Sequence, residues 1–145
     1  MRRIENLIPH SGVMVLVDEV VEVTEEFICV KSTITEENVF LEDGVFPTFK
    51  TLEMMAQSLA VFRSYMDSQK GSKLGFLLGA RKFEIFKPYV QIGDSLLIKS
   101  KISMQDSSGL GVYDSQVYLG GEMIAQASIS VLNPDDTFLE KMLES

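Results

Sequence analysis

The fold is decided by the stretch Thr51-Leu52-Glu53-Met54-Met55-Ala56-Gln57-Ser58-Leu59-Ala60, which is the most apolar helical segment of the chain. Apolar residues recur there, and for two turns beyond, at the steps of three and four that place side chains on one helical face. These residues are Leu52, Met55, Ala56, Leu59, Phe62 and Met66. The other faces also carry few polar groups. The pattern therefore predicts a helix that is buried nearly all round.

Glu53 is the one carboxyl in this stretch, and Gln57 follows it by four residues, which places the two side chains next to each other. Burial disfavours the ionised carboxylate, so a fully buried carboxyl keeps its proton up to about 3–5 pH units higher than usual. A carboxyl that is protonated near neutral pH can act as a general acid. We therefore expect a catalytic acid at Glu53. The alternative is a structural pair, in which Gln57 hydrogen-bonds a carboxylate that reaches water.

The composition bounds the class of protein. The chain has 145 residues, of which 46% are hydrophobic, enough for one domain that we expect to span residues 1–145. No stretch approaches the roughly 20 apolar residues of a membrane span, and the N-terminus lacks the apolar core of a secretion signal, so a cytoplasmic protein is expected. One cysteine and one histidine form no zinc-like spacing, so no metal is expected.

The charge distribution limits which kinds of partner the protein can bind. A net charge of −8 argues against nucleic acid, because binding to phosphate backbones relies on lysine and arginine. Residues 63–101 nevertheless contain eight basic and three acidic residues, a local net charge of +5. If these side chains share a face, they can dock an acidic partner. The alternative is ordinary scatter of surface charge.

Strand and turn signals surround the apolar helix. Strands are predicted over residues 13–23, 27–34, 74–86 with a bend at Gly79, 96–104, 110–119 and 123–132. Pro47 suits the first turn of the helix, Thr48 is a possible cap, and the helix is expected to end near Ser68. Residues 137–145 are expected to form a short terminal helix.

These elements predict an α+β fold in which a strongly curved antiparallel sheet of about six strands wraps around one long central helix. A single sheet with one helix leaves a sheet edge and a helix flank uncovered. Association with a second copy is therefore expected, most simply as a twofold dimer.

Several segments of the chain have the same order, and similar sequences, as segments of a known family. They are Leu7-Ile8-Pro9-His10, the strand at residues 15–20, the helix start at 46–57, Phe83-x-x-Phe86 and Ile92-Gly93-Asp94. Together they resemble the hotdog-fold 3-hydroxyacyl-acyl carrier protein dehydratases over nearly the whole chain. The sequences of residues 75–81 and 109–113 are most similar to those of the dehydratase-like proteins of aryl polyene biosynthesis clusters.

The resemblance implies a reaction and a set of partners. The substrate would be a 3-hydroxyacyl thioester on the phosphopantetheine arm of an acyl carrier protein, with no dissociable cofactor. The protein would be a homodimer or a heterodimer with another hotdog protein. Glu53 falls at the family's catalytic acid, and Gln57 at the glutamine one turn later.

The resemblance also implies which residues bind the substrate. Thr48 corresponds to the glycine whose backbone N–H polarises the thioester, so the N–H groups of Thr48 and Phe49 are expected to hold the thioester oxygen at the positive end of the helix dipole. Apart from the resemblance, the apolar residues Phe49, Met54, Phe76, Phe83 and Phe86 are candidates to line an acyl channel, because Met and Phe suit a flexible chain. The alternative is that these residues belong to the core.

The family's catalytic histidine is missing, because residues 38–45 read Asn-Val-Phe-Leu-Glu-Asp-Gly-Val. His10 is the one imidazole in the chain and becomes the candidate base, folded against Glu53 in its own site or in a partner's. The alternative is that His10 is only a turn residue before Ser11-Gly12.

Three functions stay open at this point. The leading one is dehydration of a 3-hydroxyacyl thioester. The second is thioester hydrolysis, with an ionised Glu53 activating water. The third is a non-catalytic, acyl-binding subunit of a dehydratase heterodimer, which the missing histidine favours. The fold alone does not choose among them.

Overall fold

The computed structural model describes residues 17–70, 76–105 and 109–132. Within them, eight strands accompany one long helix. The strands are β1 Glu19–Val23, β2 Phe27–Thr33, β3 Val45–Pro47, β4 Phe76–Ile85, β5 Tyr89–Gln91, β6 Ser95–Gln105, β7 Leu110–Leu119 and β8 Glu122–Leu132. A single 3-10 turn, Thr48–Lys50, leads directly into the helix α1, Thr51–Lys70.

Six strands form one antiparallel sheet in the order β1-β2-β6-β7-β8-β4. Burial alternates along β2, where Ile28, Val30 and Ser32 point into the core, as the two-residue period of a strand requires. The predicted antiparallel sheet of about six strands with one long helix is confirmed. Strands β3 and β5 form a separate two-stranded sheet that the sequence pattern did not reveal, because each has only three residues.

Helix α1 packs mainly against β6, β2 and β7. Met54 and Met55 are fully buried, and none of residues 51–65 is exposed, which confirms a helix enclosed on nearly every side. Full burial of such a side chain contributes roughly 1.5–3 kcal/mol, so the helix is held mainly by its packing. Its contacts in the core include Phe62, which meets Tyr113 of β7 edge to face with ring centroids 6.2 Å apart.

Three buried serines connect the helix to the sheet. Ser58 Oγ of α1 donates a hydrogen bond to the Met55 carbonyl oxygen at 2.7 Å and lies 3.1 Å from Ser100 Oγ of β6. Ser100 Oγ lies 2.7 Å from Ser115 Oγ of β7. Since the single proton of Ser58 is used on Met55, Ser100 must donate to Ser58 and Ser115 to Ser100. The three hydroxyls therefore form a one-directional chain through the core.

Two details of the helix prediction are corrected by the structure. Thr48 does not cap the helix, because Pro47 occupies the position before the 3-10 turn and no side chain hydrogen-bonds the turn's amides. The helix also ends at Lys70, two residues later than expected. The bend predicted at Gly79 is confirmed as a shift of register between Leu77 and Gly79 in the β4–β8 pairing. The predicted strand at 13–23 is described only from residue 17, and the predicted terminal helix lies outside the described residues.

Strand β4 lies at one end of the main sheet, and within the described residues it pairs only with β8. Ile85 of β4 is directly opposite Ala125 of β8, so the two side chains lie on the same face of the sheet. Ala125 is fully buried, yet Ile85 is 41% exposed. Within the described residues, the inner face of the sheet is therefore open at Ile85, near the end of β4.

Candidate functional site

The candidate site is built at the start of helix α1, where the small sheet fixes the backbone. Pro47 of β3 pairs with Tyr89 of β5, and the Thr48 N–H donates to the Pro88 carbonyl oxygen at 2.9 Å. The Thr51 hydroxyl in turn donates to the Thr48 carbonyl oxygen at 2.7 Å. The N–H and the C=O of Thr48 are therefore both occupied. This contradicts the expectation that the Thr48 N–H is available to hold a thioester oxygen, and it leaves the Phe49 N–H as the next donor.

The Thr48 side chain is in the opposite situation. The residue is fully buried, and among the described residues its hydroxyl oxygen has no hydrogen-bond partner. A buried hydroxyl without a partner costs about 1–3 kcal/mol.

Glu53 lies in the first turn of α1, and Gln57 follows one turn later. Glu53 is half-buried, whereas Gln57 is 1% exposed. The expected full burial of the carboxyl is thus met only in part, because the first helical turn lies close to the surface. Within the described residues no cation pairs with Glu53, so its carboxyl is available for chemistry.

Lys50 is a neighbouring cation, only three residues before Glu53, whose partner the sequence pattern does not reveal. Its ammonium is 2.9 Å from Glu42 Oε2 and donates to the Phe40 carbonyl oxygen at 3.1 Å. It also lies 5.6 Å from the centroid of the Phe40 ring and 5.7 Å from that of Phe49, both within the range of cation–π attraction. Lys50 thus ties the loop at residues 38–45 to the start of the helix.

A groove of about 290 Å³ opens beside this point. Its walls come from the loop at 38–45, from the two short strands and from the 3-10 turn. The lining residues are Glu42, Asp43, Val45, Pro47, Phe49 and Tyr89. Phe49 and Tyr89 are about half exposed, so the groove presents two aromatic side chains to solvent. This volume is at the lower end of the range for small-molecule sites.

The structure brings some of the predicted site residues together and not others. Thr48, Phe49, Glu53 and Gln57 share the start of the helix. Phe83 lies on β4, half-buried against the core. Phe76 begins β4, but its side chain is not in the described part of the chain, and His10 also lies outside it. The proposed channel lining by Phe76 and the role of His10 as base therefore stay predictions.

The basic residues of the +5 stretch whose side chains are described do not share one element: Arg63 is partly buried on α1, Lys87 is exposed in the turn after β4, and the other four are divided between two strands. Arg81 and Lys82 are exposed on β4, and Lys99 and Lys101 are exposed on β6. Strands β8 and β7 lie between them. Lys101 is directly opposite Asp114 of β7, so part of the positive charge is balanced locally.

Two negative findings apply to the described residues. No group of three or more His, Cys, Asp and Glu side chains there can hold a metal ion. Within the same ranges, no helix is long and apolar enough to cross a membrane.

A curved antiparallel sheet around one long helix, with a glutamate in its first turn, defines a hotdog-fold protein of the kind that includes dehydratases and thioesterases. The solved structures agree. The dehydratase heterocomplex ApeI:P from Xenorhabdus doucetiae matches with a TM-score of 0.85 and 24% identity, covering 100% of this chain and 99% of that one. A hypothetical thioesterase with coenzyme A from Streptococcus pneumoniae matches with a TM-score of 0.65 and 14% identity, covering 81% and 90%.

Within that class, the chain belongs to the ApeP-like family, described as ApeP dehydratase, which matches residues 2–144. The predicted hotdog fold and the predicted relation to the dehydratases are therefore confirmed. The 3-hydroxyacyl-acyl-carrier-protein dehydratase FabZ of Chlamydia muridarum is 27% identical over 135 residues, which cover 88% of this chain and 87% of the relative. FabZ of Streptococcus sanguinis is 29% identical over 133 residues, covering 88% and 92%.

Proposed function

We propose that this protein dehydrates 3-hydroxyacyl thioesters to trans-2-enoyl thioesters, in fatty-acid or aryl polyene type biosynthesis. The substrate would arrive on the phosphopantetheine arm of an acyl carrier protein, and no dissociable cofactor would take part. The observation that carries the proposal is Glu53: a half-buried carboxyl, unpaired among the described residues, in the first turn of the central helix of an ApeP-like chain.

The chemistry needs three groups. A base removes the proton next to the carbonyl, an acid protonates the departing hydroxyl, and donors stabilise the negative charge that develops on the thioester oxygen. In this proposal Glu53 gives its proton to the hydroxyl, which leaves as water. Among the backbone amides, the Phe49 N–H is the first that can reach the oxygen, because the Thr48 N–H is bound to Pro88. The positive end of the helix dipole supports the same oxygen.

The base must come from outside the segment that carries it in the family, because residues 38–45 contain no histidine. We propose His10, acting in its own site or in a partner's. A partner is expected to pair along β4, whose outer edge is unpaired within the described part of the chain and whose Ile85 is exposed on the inner face. The dehydratase heterocomplex among the structural matches supports a second hotdog chain as the partner, and a homodimer is the simpler form of the same proposal.

The missing histidine also favours a second candidate function. A chain that binds the acyl group but lacks a base would serve as the non-catalytic subunit of a heterodimer. In that case the partner would supply both the acid and the base, and Glu53 would help to hold the acyl group.

Mass spectrometry of the carrier-bound acyl group tests both proposals. The full-length protein is incubated with a 3-hydroxyacyl-acyl carrier protein, alone and together with a candidate hotdog partner, and the loss of one water is followed. Turnover by the protein alone supports the dehydratase. Turnover only in the mixture, and unaffected by Glu53→Gln, supports the non-catalytic subunit. Release of free thiol would instead identify a thioesterase and contradict both.

A further inference from the structure

The Lys50 side chain touches two of the residues that line the groove at the helix start. Its ammonium pairs with Glu42 at 2.9 Å and lies 5.7 Å from the centroid of the Phe49 ring. We propose that Lys50 is a positioning residue, which holds the Phe49 ring and the loop at residues 38–45 as a fixed groove wall and thereby selects the shape of the acyl chain. The inference rests on the acyl thioester substrate of the proposed function.

Phe49 connects the proposed reaction to the groove. Its N–H is proposed to bind the thioester oxygen, and its side chain lines the groove and is 53% exposed. A thioester held at that N–H is therefore within reach of the groove. One of its two arms, the acyl chain or the pantetheine, can then lie along the Phe49 ring.

The groove suits the acyl chain better than the pantetheine arm. Its lining consists of four apolar or aromatic residues and two acids, namely Val45, Pro47, Phe49, Tyr89, Glu42 and Asp43. Lys50 offsets the charge of Glu42, and among the described residues Asp43 has no cationic partner, so the groove keeps a net negative charge. The pantetheine arm brings polar amides and leads to a phosphate, which such a groove disfavours, whereas a neutral acyl chain gains from the apolar walls.

Lys50 fixes the orientation of the Phe49 ring. A lysine ammonium is attracted to the face of an aromatic ring, and here one ammonium lies between Phe40 of the loop and Phe49 of the 3-10 turn, 5.6 and 5.7 Å from their centroids. The bonds to Glu42 and to the Phe40 carbonyl oxygen hold the ammonium itself in place. The half-exposed Phe49 ring is thus ordered before a ligand arrives, and a preorganised wall costs less free energy at binding than one that must first become ordered.

A fixed ring discriminates by shape. The groove has a volume of only about 290 Å³, so a branch on the acyl chain has to displace the Phe49 ring or the loop, whereas a linear chain does not. Small differences in apolar bulk at such a site are worth about 10- to 200-fold in selectivity. Lys50 should therefore favour linear over branched acyl chains.

Binding of two thioesters that cannot be dehydrated tests the inference on the full-length protein. They are hexanoyl- and 5,5-dimethylhexanoyl-N-acetylcysteamine, which share a short thiol arm and differ only at the end of the acyl chain. Isothermal titration calorimetry gives the two Kd values. We expect the wild-type protein to bind the linear probe on the order of 10–100-fold more tightly, and Lys50→Met to reduce that ratio to about threefold or less. Lys101→Met, at an exposed lysine on β6, should keep the wild-type ratio.

Two further variants show whether Lys50 acts through the ring. Lys50→Arg keeps a cation between the two rings and should restore the wild-type ratio. In a Phe49→Ala background, Lys50→Met should change the ratio no further. With 3-hydroxyacyl substrates the effect of Lys50→Met should appear in KM and not in kcat, because the wall contacts the substrate and the transition state equally. A lysine that only stabilised the fold would lower the melting temperature and leave the ratio unchanged.

The outcomes separate this inference from the proposed function. An unchanged ratio in Lys50→Met, or a wild-type protein that binds neither probe, overturns the inference, while the proposed dehydration is judged separately by the loss of water. If Lys50→Met instead changes the affinity for pantetheine relative to N-acetylcysteamine thioesters of the same acyl chain, the groove holds the pantetheine arm and the inference is also overturned. Lys50-dependent selectivity in a protein that dehydrates no substrate, alone or with a partner, supports the inference and overturns the dehydratase.

Discussion

The ammonium of Lys50 lies 2.9 Å from the carboxylate of Glu42, although Glu53 is much closer to it in sequence. Because Lys50 pairs with Glu42 and not with Glu53, the two residues at the helix start have separate roles. Lys50 holds the loop at residues 38–45, which forms part of the groove wall, and Glu53 is left without a counter-charge among the described residues. A carboxyl bound to a lysine would be held ionised and would be a poor proton donor.

Replacing Lys50 with methionine should loosen that loop. Methionine keeps much of the aliphatic stem but loses the bonds to Glu42 and the Phe40 carbonyl. Hydrogen–deuterium exchange should become faster at residues 38–45, with a loss of global stability of about 1 kcal/mol or less, because the ion pair is partly exposed. Lys87→Met is the matched control, since Lys87 is exposed on the surface. Equal exchange in the two variants would show that the loop is held by other contacts.

Replacing Glu53 with glutamine should remove the acid and preserve the fold. Glutamine is nearly the same size and cannot give a proton to the leaving hydroxyl. We expect turnover of a 3-hydroxyacyl-acyl carrier protein to fall by about 10²–10⁴-fold, the usual contribution of a general acid, with the melting temperature within a few degrees of wild type. Glu36→Gln, in an exposed part of the preceding loop, is the control and should keep full activity. Undiminished turnover by Glu53→Gln would exclude Glu53 as the acid.

The buried serine chain makes a prediction about non-additivity. Ser100→Ala removes the acceptor of Ser115 and the donor to Ser58, so it should cost roughly 1–3 kcal/mol in urea unfolding. Replacing Ser58, Ser100 and Ser115 together removes all three hydroxyls and strands none of them. The triple variant should therefore lose less stability than the sum of the three single variants. Simple additivity would mean that the hydroxyls do not form one connected chain.

Cys29 should be a poorly reactive thiol. Burial raises the pKa of Cys29 above its ordinary value, although the nearby Lys99 ammonium opposes the shift. Because the thiolate is the nucleophile, alkylation by iodoacetamide at pH 8 should be slower in the folded protein than in the urea-unfolded chain, and it should accelerate as the pH rises through the raised pKa. Equal rates in the folded and unfolded chain would contradict this. Mass spectra of samples taken at successive times from the folded and from the urea-unfolded protein give the two rates.

The sequence predicted the features that depend on long periodic patterns. The three- and four-residue spacing of residues 51–66 predicts the buried helix, and the strand patterns predict the long strands β2, β4, β6, β7 and β8. Glu53 and Gln57 fell together at the helix start because four-residue spacing is a local property of a helix. The sequence also predicts a bend at Gly79, where the structure has a register shift, since an isolated glycine in a strand marks a bulge.

The parts that were missed depend on contacts between distant segments. Strands β3 and β5 have three residues each, too few for a period to show. The capture of the Thr48 N–H by Pro88 joins positions 40 residues apart, and no pattern within the helix reveals it. The pairing of Lys50 with Glu42 is similar, because the loop must first fold back over the helix start.

The two breaks in strand β4 restrict what can extend the sheet. The pairing of β4 with β8 shifts between Leu77 and Gly79 and again between Arg81 and Glu84, where Lys82 takes a left-handed backbone conformation with φ of 53°. A flat strand from an unrelated chain finds only a few consecutive positions at which its amides meet this edge in register. The irregular backbone of β4 therefore makes edge pairing selective. It disfavours aggregation through this edge and favours a partner strand whose own bulges have the same spacing.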